Sequence, residues 1–321
     1  MNIDLLLENL TNPALLFFFL GIVASQIKSD LSIPENSSKF ISLYLMFSIG
    51  FKGGQELAHS HLGLEVLWIL LFGIGMAMIV PIYTFFIMKP KVGIFNAGAV
   101  AAAYGSVSAV TFVTAVSFLE LQDIDFDGYM VAVMASMEAP SIIMGVLLVS
   151  IFHKSSKTEI PFSSVLKHAV TNGSVVLIIG SLMIGFFASD AQAEGIKPFT
   201  TDIFKGFLAV FLLDMGINSG KHLKGFKKNG WFSFGYAIIC PLITGSIVAY
   251  LSGFVTDSVG NRLLFSILAA SASYIAVPAA MRLAVPKANP GLYLPMALAI
   301  TFPFNISIGM PIYLSIIQML Q

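Results

Sequence analysis

The chain has 321 residues, of which 57% are hydrophobic and 11% charged, with a formal net charge of zero and a mean hydropathy of +0.88. A soluble domain carries roughly 25% charged residues, so this composition excludes an ordinary water-soluble globule and points to an integral membrane protein. No basic stripe or acidic arm is present to recruit nucleic acid or another charged macromolecule, and the single cysteine, Cys240, excludes an intramolecular disulfide and a thiolate metal site.

Taken in chain order, Met1 to Thr11 holds Asp4 and Glu8 where a leader would carry basic residues, so the first apolar segment is expected to be a permanent span. Ten candidate spans follow, at about 12–28, 38–57, 63–88, 93–118, 127–152, 166–188, 199–219, 230–252, 260–286 and 291–319. The second and seventh are shorter and more polar; laid along the membrane surface they would reduce the count to eight. With ten spans, Lys28, Lys39, Lys89, Lys91, Lys154, Lys157, Lys167, Lys221, Lys224, Lys227, Lys228, Arg282 and Lys287 share one side. The other keeps Lys52, Lys197, Lys205 and Arg262 beside Glu120, Asp123, Asp125 and Asp127. The positive-inside rule makes the lysine-rich side cytoplasmic and puts both termini outside, in a multi-pass protein expected in the bacterial plasma membrane.

The two halves, 1–160 and 161–321, echo each other at an offset of about 165 residues. Phe47-Ser-Ile-Gly-Phe-Lys-Gly-Gly54 answers Leu213-Asp-Met-Gly-Ile-Asn-Ser-Gly220, while Pro140 and Gly145 answer Pro303 and Gly309. Five spans per half, an odd number, would invert the second copy in the membrane. The expected fold is therefore all-α: ten transmembrane helices as two inverted repeats of five, with two of the helices broken and core and gate parts drawn from both repeats.

The breaks fall in the fourth and ninth spans, in Ala101-Ala-Ala-Tyr-Gly-Ser-Val-Ser-Ala-Val-Thr111 and Ala269-Ala-Ser-Ala-Ser-Tyr-Ile-Ala-Val-Pro278. Unwound backbone at membrane depth must line a protein cavity, and matched interruptions in two halves point to the binding site of a secondary transporter. The amino end of a restarting half-helix presents free N–H groups and about half a positive charge, which suits a small anion. Gly105, Ser106, Ser108, Ser271, Ser273 and Tyr274 are the candidate substrate contacts, and Pro278 fits the first turn of a restarting helix. The competing explanation is close helix packing through small residues.

Glu138, in Met134-Ala-Ser-Met-Glu-Ala-Pro140, and Asp214, in Phe211-Leu-Leu-Asp-Met-Gly216, each cost about 2.5–3.5 kcal/mol at a helix centre, so such residues usually face a cavity. With Thr111 and Asn305 they are the candidate ion-coupling groups, and Glu138 the candidate ligand of a sodium ion. The alternative for either carboxylate is a solvated place near the interface; for Asn305 it is a bond to neighbouring backbone. The five histidines, His59, His61, His153, His168 and His222, lack ligand-like spacing. Gly50-Phe-Lys-Gly-Gly54 lacks a Walker pattern, and no nucleophile–base pair is present, so neither nucleotide use nor an enzyme is expected.

At Tyr104-Gly-Ser-Val-Ser108, Met137-Glu-Ala-Pro140, Ile49-Gly-Phe-Lys-Gly-Gly54 and, most distinctively, Arg282-Leu-Ala-Val-Pro-Lys-Ala-Asn-Pro290, the chain resembles the sodium-dependent bicarbonate transporters first known from cyanobacteria. The resemblance runs over nearly the whole length. It implies a homotrimer, a core part holding bicarbonate between the two broken helices, coupling to sodium, and control by a PII-like trimeric protein at the cytoplasmic face. Tyr274 stands where the family has Asp, Ala276 and Val277 where it has Ser and Gly, and Glu138 where it has Asp. The connection between halves is short, about Phe152–Pro161. Three functions follow: a sodium-coupled bicarbonate symporter, a sodium- or proton-coupled transporter of another small anion such as a carboxylate, or a channel-like protein in which Glu138 and Asp214 relay protons.

Overall fold

A computed structural model gives the fold; it describes residues 3–59, 63–153, 167, 171, 173–223 and 230–320. Most of the short connection between halves, the lysines at 154, 157, 224, 227 and 228, and His61 and His168 lie outside the described residues. The described residues contain helices and no strand, as expected where no water is available to satisfy an open sheet edge.

In chain order the helices are α1 (Ile3–Leu10), α2 (Pro13–Gln26), α3 (Glu35–His59), α4 (Leu64–Val92), α5 (Ile94–Gly105), α6 (Ala109–Leu121) and α7 (Tyr129–Phe152). They continue with α8 (Gly173–Phe187), α9 (Asp190–Lys197), α10 (Phe204–Leu223), α11 (Gly230–Leu251), α12 (Val259–Ala270) and α13 (Ala276–Ala284). The last helical segment, α14 (Pro290–Met319), switches to π-type bonding at Ala297–Thr301 and Asn305–Gly309. Pro303 and Pro311 lie within it and cannot donate the i→i−4 bond, which accounts for relaxed winding there. Helix starts follow local capping: Asn12 accepts from the Ala14 amide ahead of Pro13, and Ser189 forms a reciprocal capping box with Gln192.

Among the described residues, six segments are long and apolar enough to cross a membrane: Leu64–Val92, Ile94–Leu121 taken through its break, Tyr129–Phe152, Asp190–His222, Gly230–Phe254 and Pro290–Met319. Pro13–Gln26, Gly173–Phe187 and Val259–Ala270 are apolar but shorter. The second segment read from sequence, α3, is 25 residues long and carries Glu35, Lys39, Lys52 and Glu56, so its polarity keeps it outside that class. The seventh, in contrast, is longer than the sequence implied, since helix runs back to Asp190 through a π turn at Pro198–Asp202.

The helices fall into two groups. In one, α2 packs chiefly on α10, and α3 chiefly on α8. Both pairs approach at glycines. A Cβ on Gly216 would collide with the Phe18 carbonyl and one on Gly21 with the Leu213 carbonyl; in the other pair Gly54 meets the Leu182 carbonyl and Gly185 the Phe51 carbonyl. Any larger side chain at these positions would force the helices apart and forfeit the dispersion contacts that drive association in lipid. In the second group α4, α5 and α7 pack mutually, as do α11, α12 and α14. Pro81 in α4 and Pro241 in α11 occupy like places in those two clusters.

Charges divide by end. At one end Glu120, closing α6, takes Lys52 of α3 at 3.0 Å and Lys205 of α10 at 3.5 Å. His59 meets Asp190 at the same end. At the other end Lys89 lies 4.0 Å from the Phe152 ring centroid, Lys91 5.6 Å from Phe232 and Lys287 5.1 Å from Phe95.

Candidate functional site

The two breaks meet each other deep in the fold. α5 stops at Gly105 and α6 restarts at Ala109; α12 stops at Ala270 and α13 restarts at Ala276. The Ser108 amide donates to Ser271 Oγ at 3.0 Å, and the Ser273 amide donates to the Ala103 carbonyl at 2.8 Å, so each break ties off backbone from the other. Ser108 is also the N-cap of α6, its hydroxyl accepting from the Thr111 amide at 3.2 Å. Such internal satisfaction is what unwound backbone needs where no water reaches.

The carboxyl ends of both upstream half-helices are closed in matching fashion. Ser141 of α7 donates to the Gly105 carbonyl at 2.5 Å, while Asn305 of α14 donates to the Ala270 carbonyl at 2.9 Å. Gly105 and Ala270 differ by about 165 positions, as do Ser141 and Asn305. Ser141 also contacts the Ala77 and Met137 carbonyls, and Asn305 accepts from Tyr313 Oη at 3.3 Å. Tyr104 Oη pairs with Thr301 Oγ1 at 2.7 Å, linking α5 to the π-wound stretch of α14.

Of the two downstream half-helices, α6 is capped by Ser108 and α13 is the more open. α13 has no side-chain cap, and Pro278 in its first turn has no N–H to offer. Ala109 and Ala276, the first residues of α6 and α13, line one small cavity of about 20 Å³ with Val107, Ser108, Ser273 and Tyr274. That is room for roughly one water-sized particle. Glu138 of α7 enters the same cavity, and Met46 of α3 and Ser174 of α8 close it from the other helix group.

Glu138 is only 6% exposed, and its Oε1 has no hydrogen-bond partner. Five buried side-chain polar atoms among the described residues lack a partner, and three of them, Ser106 Oγ, Glu138 Oε1 and Tyr274 Oη, belong to the breaks or face them. An unsatisfied buried hydroxyl costs about 1–3 kcal/mol and an isolated carboxylate more, so their concentration marks a place shaped for something other than packing.

The candidate residues thus divide. Ser108, Ser273, Tyr274 and Glu138 share the cavity. Gly105 belongs to the carboxyl end of α5 rather than the amino end of α6, and Ser106 follows as its C-cap with its hydroxyl buried and free. Ser271 spends its hydroxyl on the Leu268 carbonyl and the Ser108 amide. Thr111 gives its amide to the cap. Asn305 holds the α12 terminus, the backbone-bonding alternative foreseen for it. Asp214 does not line the cavity; it accepts from Ser38 in the first turn of α3. Ser141 and Ser174 went unmarked in the sequence, where the only available signal was their spacing from better candidates. No cluster of three metal-ligating side chains occurs among the described residues.

A search of curated proteins finds no match. The family profile described as the Na+-dependent bicarbonate transporter superfamily matches residues 13–318, spanning both helix groups and both breaks. By that near-complete match, the chain belongs to the Na+-dependent bicarbonate transporter superfamily.

Proposed function

We propose that the protein is a sodium-coupled bicarbonate symporter of the plasma membrane, with ten membrane-crossing segments in two inverted repeats. The repeat reading is supported by equivalent pairings: α2 on α10 answers α8 on α3, and the α4–α5–α7 cluster answers α11–α12–α14. The glycine contacts follow suit, Gly216 on Phe18 and Gly21 corresponding to Gly50 on Ile178 and Ser181. In this reading α2, α3, α8 and α10 form the gate part, and the clusters holding the breaks form the core part.

The observation that carries the function is the unpartnered Glu138 carboxylate in one cavity with the amino ends of both restarting half-helices. The cavity holds about one water-sized particle as it stands; once it widens, bicarbonate takes the positive helix ends, at the Ala109 and Ala276 amides, and the Ser273 and Tyr274 hydroxyls. It cannot settle beside an ionised Glu138 unless a cation intervenes. At 4 Å and an effective dielectric near 20, each unit-charge interaction is about 4 kcal/mol. Sodium at Glu138 turns that repulsion into attraction, which couples the two occupancies. Tyr274, in place of an acidic residue, leaves Glu138 as the dominant negative group. Purified protein in proteoliposomes should take up labelled bicarbonate when a sodium gradient is imposed. Uptake indifferent to sodium, but driven by a pH gradient, would favour the proton-coupled alternative; uptake of carboxylates to the exclusion of bicarbonate would replace the substrate.

The orientation follows the charge division, with the carboxylate-rich end of Glu120 outside and the Lys89, Lys91 and Lys287 end in the cytoplasm. Single cysteines at position 2 and at Gln321 should react with a membrane-impermeant maleimide in intact cells. Reaction of either one only after permeabilisation contradicts the ten-span, inverted arrangement.

A further inference from the structure

Away from the breaks, α4 and α11 leave a groove of about 670 Å³ on the surface of the helix bundle. Its walls include Ile79 and Ile87 of α4 and Ile239, Ile243, Ile247 and Leu251 of α11. Polar groups beneath it are already paired, Tyr83 Oη with Thr244 Oγ1 at 2.6 Å and Tyr236 Oη with Thr84 Oγ1 at 2.7 Å. The groove follows α11 from Trp231 to Leu251, a rise of about 30 Å, which is the hydrocarbon thickness of a bilayer. Trp231 is highly exposed at one end, and Tyr250 and Phe254 are exposed at the other. Aromatic side chains at those two levels suit the two membrane interfaces.

Next to Tyr250 and Phe254 the surface changes character. A cavity of about 430 Å³ is bounded by Gly253, Asp257 and Arg262, with Tyr250 and Phe254 on its rim. Arg262 is 5% exposed, and its Nη2 donates to the Ala249 carbonyl at 2.9 Å. The guanidinium lies flat on Gly253, where a Cβ would come within 3.0 Å of Nη2. Its Nε has no acceptor, and no carboxylate lies within ion-pair distance, Asp257 lining the same cavity and acting on the guanidinium only through its longer-range field. A guanidinium this buried is expensive without an anion, and its planar donors match a phosphate.

We propose that the cavity and groove form one binding site for a phospholipid of the surrounding bilayer, with an ethanolamine headgroup. The phosphate is held by Arg262 and the headgroup ammonium by Asp257, while an acyl chain lies along Ile247, Ile243 and Ile239. The charge sequence of the site selects this occupant: one buried cation, one exposed carboxylate beyond it, and an apolar channel that starts at the same helix end.

The test uses full-length protein, delipidated in mild detergent and returned to equal amounts of phosphatidylethanolamine and phosphatidylglycerol, with bound lipid counted by native mass spectrometry. Wild-type protein should retain phosphatidylethanolamine preferentially. Arg262→Gln should weaken its retention about tenfold, the usual consequence of losing a charge-assisted bond. Asp257→Asn should leave lipid bound but abolish the headgroup preference, and Ile243→Trp should displace both lipids. The last two positions are exposed, so they test the site even where Arg262→Gln fails to fold. Equal retention of both lipids by wild type and variants overturns the proposal. So does disulfide formation between copies carrying Ile243→Cys in nanodiscs, which would make the groove a contact between subunits.

Discussion

Glu138→Gln should abolish sodium-driven accumulation of bicarbonate while leaving the protein folded and able to bind the anion. The amide preserves shape and one oxygen but removes the one carboxyl group among the described residues that line the cavity between the two restarting half-helices. In wild-type protein the mutual dependence of sodium and bicarbonate is a coupling free energy, and reciprocity requires each to tighten the other by the same factor. An interaction of about 4 kcal/mol per charge pair corresponds to roughly thousandfold stimulation of bicarbonate binding by sodium. In Glu138→Gln that stimulation should fall to about one, because sodium loses its main ligand and bicarbonate loses its main source of repulsion. The measurement is bicarbonate affinity by isothermal calorimetry with and without sodium, together with uptake under a sodium gradient. Full sodium stimulation in the variant would remove Glu138 from the coupling. Asp214→Asn is the internal comparison: Asp214 is bonded to Ser38 and stands off the cavity, so its loss should leave the sodium dependence of binding intact.

The interruptions were visible in the sequence because Ser, Gly and Pro inside an apolar stretch break a helix by known means. Their exact roles were not visible. Gly105 reads as a flexible opening for α6, yet it closes α5, because the carbonyl it carries finds Ser141 one element away. Ser141 itself leaves no trace in sequence, since a lone serine in an apolar helix ordinarily bonds its own preceding turn, as this one also does through the Met137 carbonyl. Only the knowledge that Gly105 and Ala270 both end half-helices reveals Ser141 and Asn305 as equivalent caps. The polarity of α3 was legible as a weak span, and its length was not, because its charges sit toward the two ends and its centre is buried against α8 and α10. Arg262 was read only as a marker of sidedness; nothing in Val259-Gly-Asn-Arg262 announces that its guanidinium is buried over Gly253.

Ser106→Ala should make the protein more stable and a poorer transporter. The Ser106 side chain is wholly buried and its hydroxyl has no partner; its backbone amide remains bonded to the Ala102 carbonyl at 3.0 Å, so the C-cap of α5 does not depend on the side chain. Deleting an unsatisfied buried hydroxyl relieves a desolvation cost of about 1–3 kcal/mol without opening a sizeable void, which should raise the thermal midpoint in detergent by a few degrees. A purely structural serine at this position would have no reason to be left unbonded. One that meets bicarbonate when the cavity widens would be unbonded only in the closed arrangement, and its loss should cost a hydrogen bond to a charged ligand, ten- to hundredfold in affinity. Stability and uptake should therefore move in opposite directions, a signature that neither misfolding nor simple repacking produces. Tyr274→Phe removes the second orphan hydroxyl of the breaks and should show the same divergence, since Tyr274 lines the cavity directly. Raised midpoints with bicarbonate uptake unchanged in both variants would assign the small residues of the breaks to helix packing and take the substrate away from this cavity.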